Sequence, residues 1–435
     1  MDFRPELSWE FLTRDEIDAK SVRAFRNHIR HVKECSVYYK SIFESISPDD
    51  INSVEDIARI PLTSRAQLAG QSSRFLGVDP AQVVETVITA GTGGKPIPFI
   101  FSASDLDRIA YNQALHLHAA GISPADRIML LVSLDRYSLD GMAQYRGAVI
   151  LGANVMRIGV GTAMHQVLHR YLQFFKPTAL VGVPSVLRSI GLDLKEKGYD
   201  TAGSAVEKLL CIGESIADRS LGKNAVGSAL EQLWGAKAFS MYSSTETAVA
   251  YCDCAGQAGL HGHPELVYTE IVDKNGRPVS DGTVGELVAT PFGVEGVPLV
   301  RYRTGDMTFK LPGTCTCGRN SCRIGPVLGR KSQLFTCNGT VVYPLLLTNA
   351  LDSVEEVKDY LVILENETGR TDTVTIHVAA PPAALEKIGA AVREATGVHL
   401  QMLVSNIPTI RSLRKGSAKK IPILDRRIKP EETGA

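Results

Sequence analysis

Residues 89–96 carry the residue types that hold phosphate groups, in the order Thr-Ala-Gly-Thr-Gly-Gly-Lys-Pro. Glycine lets backbone N–H groups turn toward an anion, threonine hydroxyls add hydrogen-bond donors, and lysine supplies a positive charge. Pro96 follows the lysine, whereas the common phosphate loop has serine or threonine there and opens a helix. The alternating residues that come next predict a strand. Two interpretations stay open: a glycine loop between two strands that covers nucleotide phosphates, or an ordinary flexible hairpin.

Cysteine and histidine residues form a second group that could do chemistry. They fall in two short stretches, one with Cys252, Cys254, His261 and His263, the other with Cys315, Cys317 and Cys322. Thiolates and imidazoles from two such stretches suit a tetrahedral structural zinc site, although Cys-x-Cys is tighter than the common Cys-x₂-Cys spacing. The alternative is a set of thiols in loops. Cys35, Cys211 and Cys337 are isolated, and we expect them to be small buried apolar residues.

The composition restricts the classes of protein to which the chain can belong. Its 435 residues predict more than one domain, and 44% hydrophobic and 22% charged residues are typical of a soluble globular protein. A formal net charge of zero disfavours nucleic acid or a membrane surface as the main partner. The first residues do not resemble a signal peptide, and no apolar run is long enough to span a bilayer. We therefore expect a cytoplasmic protein whose cysteines are thiols or metal ligands.

Alternating strand and helix patterns surround the glycine-rich stretch. Residues 1–60 show apolar residues at helical spacing, and Thr63 or Ser64 is a candidate N-cap for a helix through Leu68. Helices are then predicted at 104–120, 141–152, 164–175 and 184–197, with strands at 127–133, 153–158, 178–182 and 208–212. This alternation predicts an α/β architecture with a largely parallel sheet. A ligand is then expected at the carboxyl ends of its strands.

Beyond about residue 250 the pattern changes, and short strands and turns predict a β-rich part with strands at 266–273 and 285–290. From Gly339 onward we expect a small α/β domain, with strands at 359–365 and 373–379 and a helix at 383–396. Its last stretch, residues 411–429, is basic. A solvated tail would also explain such a run of charge.

Five stretches, in their order and spacing, resemble the motifs of the adenylate-forming superfamily. They are residues 89–96, Tyr-Ser-Ser-Thr-Glu at 242–246, Tyr-Arg-Thr-Gly-Asp at 302–306, Gly-Arg at 329–330 and the basic stretch around Lys419. Pro-Leu-Thr-Ser at 61–64, Gly-Glu-Ser at 213–215 and Val-Tyr-Pro at 342–344 resemble the phenylacetate-CoA ligase group of that superfamily. The resemblance implies a large N-terminal adenylation domain with mixed and parallel sheets at 1–331, whose zinc-bearing β-rich part lies at about 250–330. A small mobile α/β C-terminal domain is implied at 332–435.

The resemblance also implies a role for particular residues toward ATP and Mg²⁺. The β- and γ-phosphates are assigned to Thr89, Gly91, Thr92, Gly93, Gly94 and Lys95. Glu246 would hold Mg²⁺, although a surface carboxylate near a helix start is the alternative. Adenine would lie against Gly213, Glu214, Ser215 and Tyr242, with Tyr242 stacking on the base. Ser243 and Thr245 of the same motif are also implied to bind ATP or AMP. Asp306 would accept from the ribose hydroxyls with Arg330 nearby, whereas an ordinary turn aspartate is the simpler interpretation of Asp306 alone.

By the same resemblance, Lys419 is the catalytic lysine that bridges the attacking carboxylate and the α-phosphate. Lys415 and Lys420 are rivals, because Ala418 stands where the group has glycine. At the hinge, Ser332 and Gln333 replace the acidic residue that usually follows Gly-Arg-x. Ser243 likewise replaces the usual glycine beside the carboxylate pocket.

The zinc ligands and the acyl pocket follow from the same comparison of motifs. The resemblance selects Cys254, His261, Cys315 and Cys317 as ligands of zinc, and it leaves Cys252, Cys322 and His263 as spares. The acyl pocket is expected at Tyr137 and Gly141, where Tyr137 could stack on an aryl ring or be a core residue. An aryl or arylacetic acid is implied, and a polar aryl acid stays open.

The implied activity is ATP-dependent activation of a carboxylic acid to acyl-AMP, followed by transfer to coenzyme A. The alternative is an adenylating enzyme that passes its acyl group to an amine, a hydroxyl or a carrier-protein thiol, which fits the hinge departure. A non-catalytic nucleotide-binding protein is a third hypothesis. The expected partners are the acid, ATP and coenzyme A, with no nucleic acid and no membrane, and a homodimer is left open.

Overall fold

A computed structural model describes residues 3–5, 8–89, 97–134, 139–159, 168–337, 339–365, 373–414 and 423–427. The chain divides into two compact units. The first comprises Met1–Ala217, Gly227–Thr304 and Thr308–Pro326, and the second comprises Asp218–Val226, Gly305–Met307 and Val327–Ala435. The domain boundary between residues 331 and 332 stays a prediction, because a division by packing does not locate a hinge.

Short helices form the start of the first unit: α1 Arg14–Cys35, α2 Val37–Ile42, α3 Val54–Ile57 and α4 Arg65–Gly70. A capping box begins α1, since the Thr13 hydroxyl accepts from the N–H of Glu16 and the Glu16 carboxylate accepts from the N–H of Thr13. The helix predicted across residues 1–60 is interrupted at Ser36. Its extended backbone ends α1, and its hydroxyl accepts from the N–H of Tyr39 to begin α2.

The strands and helices given next lie wholly or mostly in the first unit, and those before about residue 250 alternate as predicted. The strands are β1 Glu85–Thr89, β2 Ile97–Phe101, β3 Arg127–Leu131, β4 Asn154–Arg157, β5 Ala179–Gly182, β6 Lys208–Ile212, β7 Lys237–Ser244, β8 Val249–Asp253, β9 Leu260–His261, β10 Val267–Val272, β11 Val284–Pro291, β12 Tyr302–Phe309 and β13 Arg323–Ile324. The helices are α5 Ala103–Ala119, α6 Asp140–Leu151, α7 Leu168–Phe175, α8 Pro184–Glu196 and α9 Ala225–Trp234. These bounds confirm the predicted α/β architecture.

An eight-stranded sheet in the order β13-β9-β8-β7-β6-β5-β3-β4 carries most of this unit. The strands from β4 to β7 are parallel, and β8, β9 and β13 continue the sheet in antiparallel pairing. Every residue of β5 and nearly every residue of β3 and β6 is buried. Such continuous apolar strands are typical of a parallel sheet covered on both faces. Binding residues are therefore expected where its strands end.

The β-rich part contains a second sheet in which β10 pairs with β11, with Val267 opposite Pro291. Arg301, just before β12, holds the neighbouring loops although it is only 2% exposed. Its guanidinium pairs with Glu270 at 2.8 Å and donates to the carbonyl groups of Ala58 and Ile60. A buried charge needs such partners, because an unpaired one is costly.

The second unit is a small α/β domain. Its elements are β14 Gly329–Arg330, β15 Phe335–Cys337, β16 Thr340–Val342, α10 Pro344–Asp352, β17 Asp359–Glu365, β18 Thr373–Ala379, α11 Leu385–Thr396, β19 Gln401–Val404, α12 Ile407–Leu413 and β20 Ile423–Asp425. Four strands form a sheet in the order β19-β18-β17-β20. Both strands and the helix predicted for this domain are thus confirmed.

Among the residues that the structure describes, no helix is both long enough and apolar enough to cross a lipid bilayer.

Candidate active site and metal centre

The carboxyl ends of two neighbouring parallel strands bring together segments that are distant in sequence. β6 and β7 pair in parallel, with Ile212 opposite Met241, so that Gly213 follows β6 beside Tyr242 on β7. Gly213 has a φ of 77°, a left-handed conformation that favours glycine and turns the chain at the sheet edge. The two segments predicted to flank adenine are therefore neighbours.

Glu214 and Ser215 fix the shape of the loop that follows Gly213. The two carboxylate oxygens of Glu214 accept from the backbone N–H of Ser185 at 2.9 Å and from its hydroxyl at 2.7 Å. Ser185 lies in the first turn of α8, where a negative charge is favourable. The Ser215 hydroxyl donates to the carbonyl oxygen of Ala217 at 3.0 Å. In this structure, both side chains thus stabilise the loop.

Arg65 connects the predicted magnesium ligand to the start of residues 89–96, the predicted phosphate loop. Its Nη1 lies 2.8 Å from Oε1 of Glu246, and its Nη2 lies 3.3 Å from Oγ1 of Thr89. The Ser244 hydroxyl donates to the second oxygen of the Glu246 carboxylate at 3.0 Å. Arg65 is not among the residues that the sequence motifs indicate. The signal that could have found it is its position directly after the Pro-Leu-Thr-Ser motif.

Thr63 explains why Arg65 reaches this place. Its hydroxyl donates to the carbonyl oxygen of Val300 at 2.8 Å, and its backbone N–H donates to that of Arg301 at 3.1 Å. The next residue, Ser64, caps α4 through a capping box with Gln67, so the predicted N-cap is confirmed. Arg65 is therefore the first residue of a helix whose start is held by the contacts of Thr63 and by the capping box of Ser64.

The two strands on either side of the predicted phosphate loop pair with each other. Thr89, the last residue of β1, pairs directly with Ile97, the first residue of β2, in an antiparallel hairpin. This pairing confirms that the glycine-rich stretch connects two strands. Gly91, Thr92, Gly93, Gly94 and Lys95 lie outside the described residues, and their phosphate contacts stay a prediction.

Two residues near the expected acyl pocket are close to the same sheet edge. Gly141 lies in the first turn of α6, where an added Cβ would stand 2.3 Å from the carbonyl oxygen of Ser133. Only glycine permits this approach. The Ser243 hydroxyl donates to Oδ1 of Asp140 at 3.3 Å, so the serine that replaces the usual glycine has a polar partner. Tyr137 lies outside the described residues.

Thr245 and Glu246 form part of the turn between β7 and β8. The carbonyl oxygen of Thr245 accepts from the N–H of Ala248 at 3.2 Å, which closes the turn. Glu246 is therefore presented by a short hydrogen-bonded turn and not by a long loop.

In the second unit, Asp306 and Arg330 are brought together by strand pairing. They stand opposite each other in antiparallel backbone pairing, and Arg330 Nε lies 3.4 Å from Oδ1 of Asp306. Asp306 is 7% exposed, whereas the Arg330 side chain is 49% exposed. The predicted neighbourhood of these two residues is thus present. Lys419 and its rivals Lys415 and Lys420 lie outside the described residues.

The segment that the resemblance assigns to the hinge contacts the end of the basic stretch. Lys331–Gln333 forms a single 3₁₀ turn. The guanidinium of Arg427 donates to the carbonyl oxygens of Ser332 at 3.0 Å and of Leu334 at 2.7 Å. Backbone groups, and not the Ser332 side chain, therefore make these contacts.

A separate cluster of thiols and one imidazole lies at the antiparallel end of the large sheet. Cys254 follows β8, His261 lies on β9, and Cys315 and Cys317 come from the loop before β13. One ligand atom from each residue lies within 4.8 Å of the others. The Sγ atoms of Cys254 and Cys315 are 3.6 Å apart, and Nε2 of His261 is 3.6 Å from Sγ of Cys317. These are the four residues that the resemblance selects.

The spacing of these atoms fits a tetrahedral metal ion. Ligands of zinc, about 2.3 Å away for sulfur and about 2.0 Å for nitrogen, stand roughly 3.3–3.8 Å from one another in a tetrahedron. The sulfur separation of 3.6 Å lies in that range and is far longer than a disulfide bond. A Cβ at Gly256 would lie 2.8 Å from the hydroxyl of Thr316, so glycine lets the two cysteine loops approach closely.

The electrostatics of the cluster favour a cation. Burial raises the pKa of the Cys254 thiol, and the neighbouring thiols add to this effect. Burial also raises the pKa of Cys317, but hydrogen bonds from His261 and Arg319 outweigh it and hold that pKa below its usual value. A divalent cation would stabilise the remaining thiolates. Three thiols beside one imidazole therefore form a site that suits zinc.

The spare residues do not join this cluster. Cys252 is buried on β8, opposite His261 in the strand pairing, and it contributes no atom to the ligand group. Cys322 and His263 are likewise outside that group. His263 instead lies 3.1 Å from the carboxylate of Glu10, a residue that no sequence motif indicates.

The chain is similar to known proteins over most of its length. A family profile described as "AMP-binding enzyme" matches residues 78–294. The phenylacetate-coenzyme A ligase of Thermus thermophilus is 28% identical over 398 residues, which cover 89% of this chain and 86% of that protein. The Escherichia coli protein of the same name is 27% identical, over 85% of this chain and 84% of that one.

A solved structure shows the same fold. The 2-hydroxyisobutyryl-CoA ligase in its postadenylation state matches 97% of this chain and 92% of its own, with a TM-score of 0.84 and 21% identity. Together with the profile and the curated relatives, this agreement confirms the resemblance that the motifs indicate. The chain is phenylacetate-CoA ligase-like over most of its length, and its residues 78–294 match the AMP-binding enzyme family.

Proposed function

We propose that this protein is an ATP-dependent, AMP-forming acid–CoA ligase. The observation that carries the proposal is the contact of Arg65 with both Glu246 and Thr89. It brings together a carboxylate, a guanidinium and the first residue of a glycine-rich loop, the groups needed to bind a triphosphate and its cation. Named relatives that span most of the chain support the same activity.

In the first half-reaction, the carboxylate of the acid attacks the α-phosphate of ATP, and pyrophosphate leaves. Residues 91–95 and Thr89 would hold the β- and γ-phosphates through N–H, hydroxyl and ammonium groups. Glu246 would hold Mg²⁺, which neutralises the charge that develops on the leaving group. Arg65 would add a positive charge beside the same phosphates, and Lys419 would bridge the acid and the α-phosphate.

In the second half-reaction, the thiol of coenzyme A attacks the carbonyl carbon of acyl-AMP, and AMP leaves. Asp306 would hold the ribose of the adenylate through its hydroxyl groups. The change between the two half-reactions requires only a backbone that can change φ and ψ at the hinge. Ser332 can serve in place of the usual acidic residue, because the rotation depends on the backbone and needs no particular side chain at this position.

We propose an aryl or arylacetic acid as the substrate class. The relatives named above are phenylacetate-CoA ligases, which supports this class. The hydrogen bond between Ser243 and Asp140 adds a polar element at the expected end of the acyl pocket. An acid with an amino or hydroxyl substituent on its ring is therefore included in the class.

We also propose that Cys254, His261, Cys315 and Cys317 hold one structural Zn²⁺. All four coordination positions are filled by protein atoms, which is the pattern of a structural site and leaves no position for substrate. The ion would connect the loop before β13 to β8 and β9. It would supply rigidity and take no part in the transfer of the acyl group.

The experiment that tests the function is ATP–pyrophosphate exchange with a panel of acids, followed by product analysis with and without coenzyme A. Acid-stimulated exchange and a thioester product are expected. If exchange occurs but no coenzyme A thioester forms, and the acyl group is instead transferred to an amine, a hydroxyl or a carrier thiol, then that group and not coenzyme A is the acceptor. Absence of exchange with every acid, together with absence of ATP binding, would overturn the proposal as a whole.

A further inference from the structure

The N-terminal residues 8–12, here called the N-terminal strap, place a buried carboxylate next to the metal cluster. Glu10 lies in a 3₁₀ turn, Trp9–Phe11, and is only 1% exposed. The strap is held on the loop before β13 by backbone contacts, because Asn320 donates from its N–H to the carbonyl oxygen of Glu10 at 2.7 Å. The side-chain amide of Asn320 donates to that of Leu12 at 2.9 Å. A glutamate this buried must have specific partners.

One route from Glu10 leads to the histidine of the cluster. The Nε2 atom of His261 faces Cys317 at 3.6 Å, and its Nδ1 atom lies 3.0 Å from the hydroxyl of Ser321. That hydroxyl donates to Oε1 of Glu10 at 3.4 Å. If Nε2 is the ligand atom, then Nδ1 carries the proton, and this N–H donates a hydrogen bond to the hydroxyl oxygen of Ser321. The chain Glu10–Ser321–His261 therefore fixes both the tautomer and the ring orientation of the ligand.

A second route leads from the same carboxylate to a cysteine of the cluster. Arg319 Nε lies 3.2 Å from Oε1 of Glu10, and Arg319 Nη1 donates to Sγ of Cys317 at 3.5 Å. The guanidinium is also packed over the ring of Phe11, another residue of the strap, at 5.0 Å. Hydrogen bonds to a thiolate ligand stabilise its charged form. One carboxylate thus supports two different ligands.

We propose that Glu10 is a positioning residue of the metal centre, and that a bound metal ion and the N-terminal strap stabilise each other. The inference rests on the proposed zinc site. Glu10 lies more than 240 positions before the ligand Cys254 in the chain. The strap and the metal cluster therefore come from distant segments, and each supports the other only when both are in place. By linkage, whatever the strap adds to metal affinity, the metal adds to the stability of the docked strap.

The first test measures metal affinity on the full chain by competition with a chromophoric chelator. Ser321→Ala removes only the route to His261, and Glu10→Gln removes the charge that faces Arg319. Both are expected to raise the dissociation constant for Zn²⁺ by about 10–100-fold, the usual cost of losing an outer-shell partner. Ser321→Ala is the milder change, so it remains informative if Glu10→Gln fails to fold.

The matched control is Glu265→Gln. Glu265 is a partly buried carboxylate that accepts from the Ser8 hydroxyl of the same strap at 2.7 Å, but it belongs to neither route described above. We expect this control to keep the metal affinity of the parent protein. Equal loss of affinity in all three variants would mean that general loosening of the strap, and not positioning of the ligands, is the cause, and would overturn the proposal.

Two further readouts separate positioning from simple stability. The visible spectrum of the Co²⁺-substituted protein is expected to change in Ser321→Ala and to stay the same in Glu265→Gln, because the spectrum reports ligand geometry. Removal of the metal is expected to speed hydrogen exchange in peptides that contain the strap, but not in the middle of α1. Unchanged zinc affinity and cobalt spectrum in Ser321→Ala and Glu10→Gln would overturn the inference. A parent protein that binds no metal would instead refute the zinc site itself.

Discussion

Arg65 and Glu246 are separated by 181 positions in the chain and form an ion pair with 2.8 Å between Nη1 and Oε1. Their side chains are 34% and 19% exposed, so solvent screens this pair less than an ordinary surface pair. Arg65 also contacts Thr89. Arg65 is therefore the structural connection between the predicted phosphate loop and the proposed magnesium ligand.

Replacement of Arg65 by alanine is therefore expected to slow ATP–pyrophosphate exchange by about tenfold or more, equivalent to about 1.4 kcal/mol of lost transition-state stabilisation. Arg65→Lys keeps the charge but cannot make both contacts, and an intermediate rate is expected. Arg59→Ala is the control, because the Arg59 side chain is 79% exposed and pairs with nearby Asp56. Exchange at the parental rate in Arg65→Ala would show that the pair is only structural.

Asp306→Asn is expected to raise the KM for ATP by about 10–100-fold, because hydrogen bonds to a charged acceptor contribute about 1.5–3 kcal/mol. Steady-state kinetics with ATP as the varied substrate measure this effect. The matched control is Asp281→Asn, whose side chain is 43% exposed and lies 3.9 Å from Lys310. If the two variants have the same KM as the parent, Asp306 is a turn residue without a role toward ribose.

Lys419→Ala is expected to abolish exchange while leaving ATP binding largely intact, since a lysine that bridges acid and α-phosphate acts mainly in the transition state. Exchange assays and calorimetric titration with ATP measure the two properties separately. Lys415→Ala and Lys420→Ala serve as matched controls within the same basic stretch. The role moves to one of them if its variant, and not that of Lys419, loses exchange.

Metal analysis of the purified protein is expected to find about one zinc per chain, because four protein ligands form one closed tetrahedral site. Cys315→Ser is expected to lose the metal and to unfold at a lower temperature. Cys252→Ser is the control: Cys252 is also buried but lies outside the ligand group, and this variant is expected to keep the metal. A parent protein without zinc, or full zinc content in Cys315→Ser, would contradict the assignment.

His28 is expected to make the protein less stable in mild acid. Burial lowers the pKa of His28 to about 4, and its Nε2 atom lies 3.0 Å from the carbonyl oxygen of Leu299. Between pH 6.5, the usual value, and about 4, the unfolded chain binds a proton that the folded chain rejects. The contribution of neutral His28 to the free energy of unfolding is therefore fully present above pH 6.5. It is lost as the pH falls toward 4, by about 3 kcal/mol in total.

Urea unfolding of the parent and of His28→Gln at several pH values measures this contribution. The variant is expected to have a flatter dependence on pH between 4 and 6.5, because it lacks the titrating group. His399→Gln, a change at an exposed histidine, is the control and should keep the parental dependence. Identical pH dependence in the parent and His28→Gln would show that His28 does not titrate in this way.

Local sequence was sufficient for the elements and for the chemistry of the motifs. The alternation of β3, α6, β4, β5, α8 and β6 follows from apolar periodicity, which depends only on neighbouring residues. The hairpin around the phosphate loop and the cap at Ser64 follow from the conformational preferences of glycine, proline and serine. The zinc ligands could be proposed because thiols and imidazoles have a narrow coordination chemistry.

The tertiary structure decided which distant residues share a partner. Arg65 carries no signature of its own, and its importance depends on how Thr63 and α4 dock against the segment around Val300. Glutamate is usually a surface residue, and only the packing of the N-terminal strap buries Glu10 against Arg319 and Ser321. Sequence periodicity describes one element at a time, whereas these contacts depend on strand order and register, which arise only when the separate elements pack together.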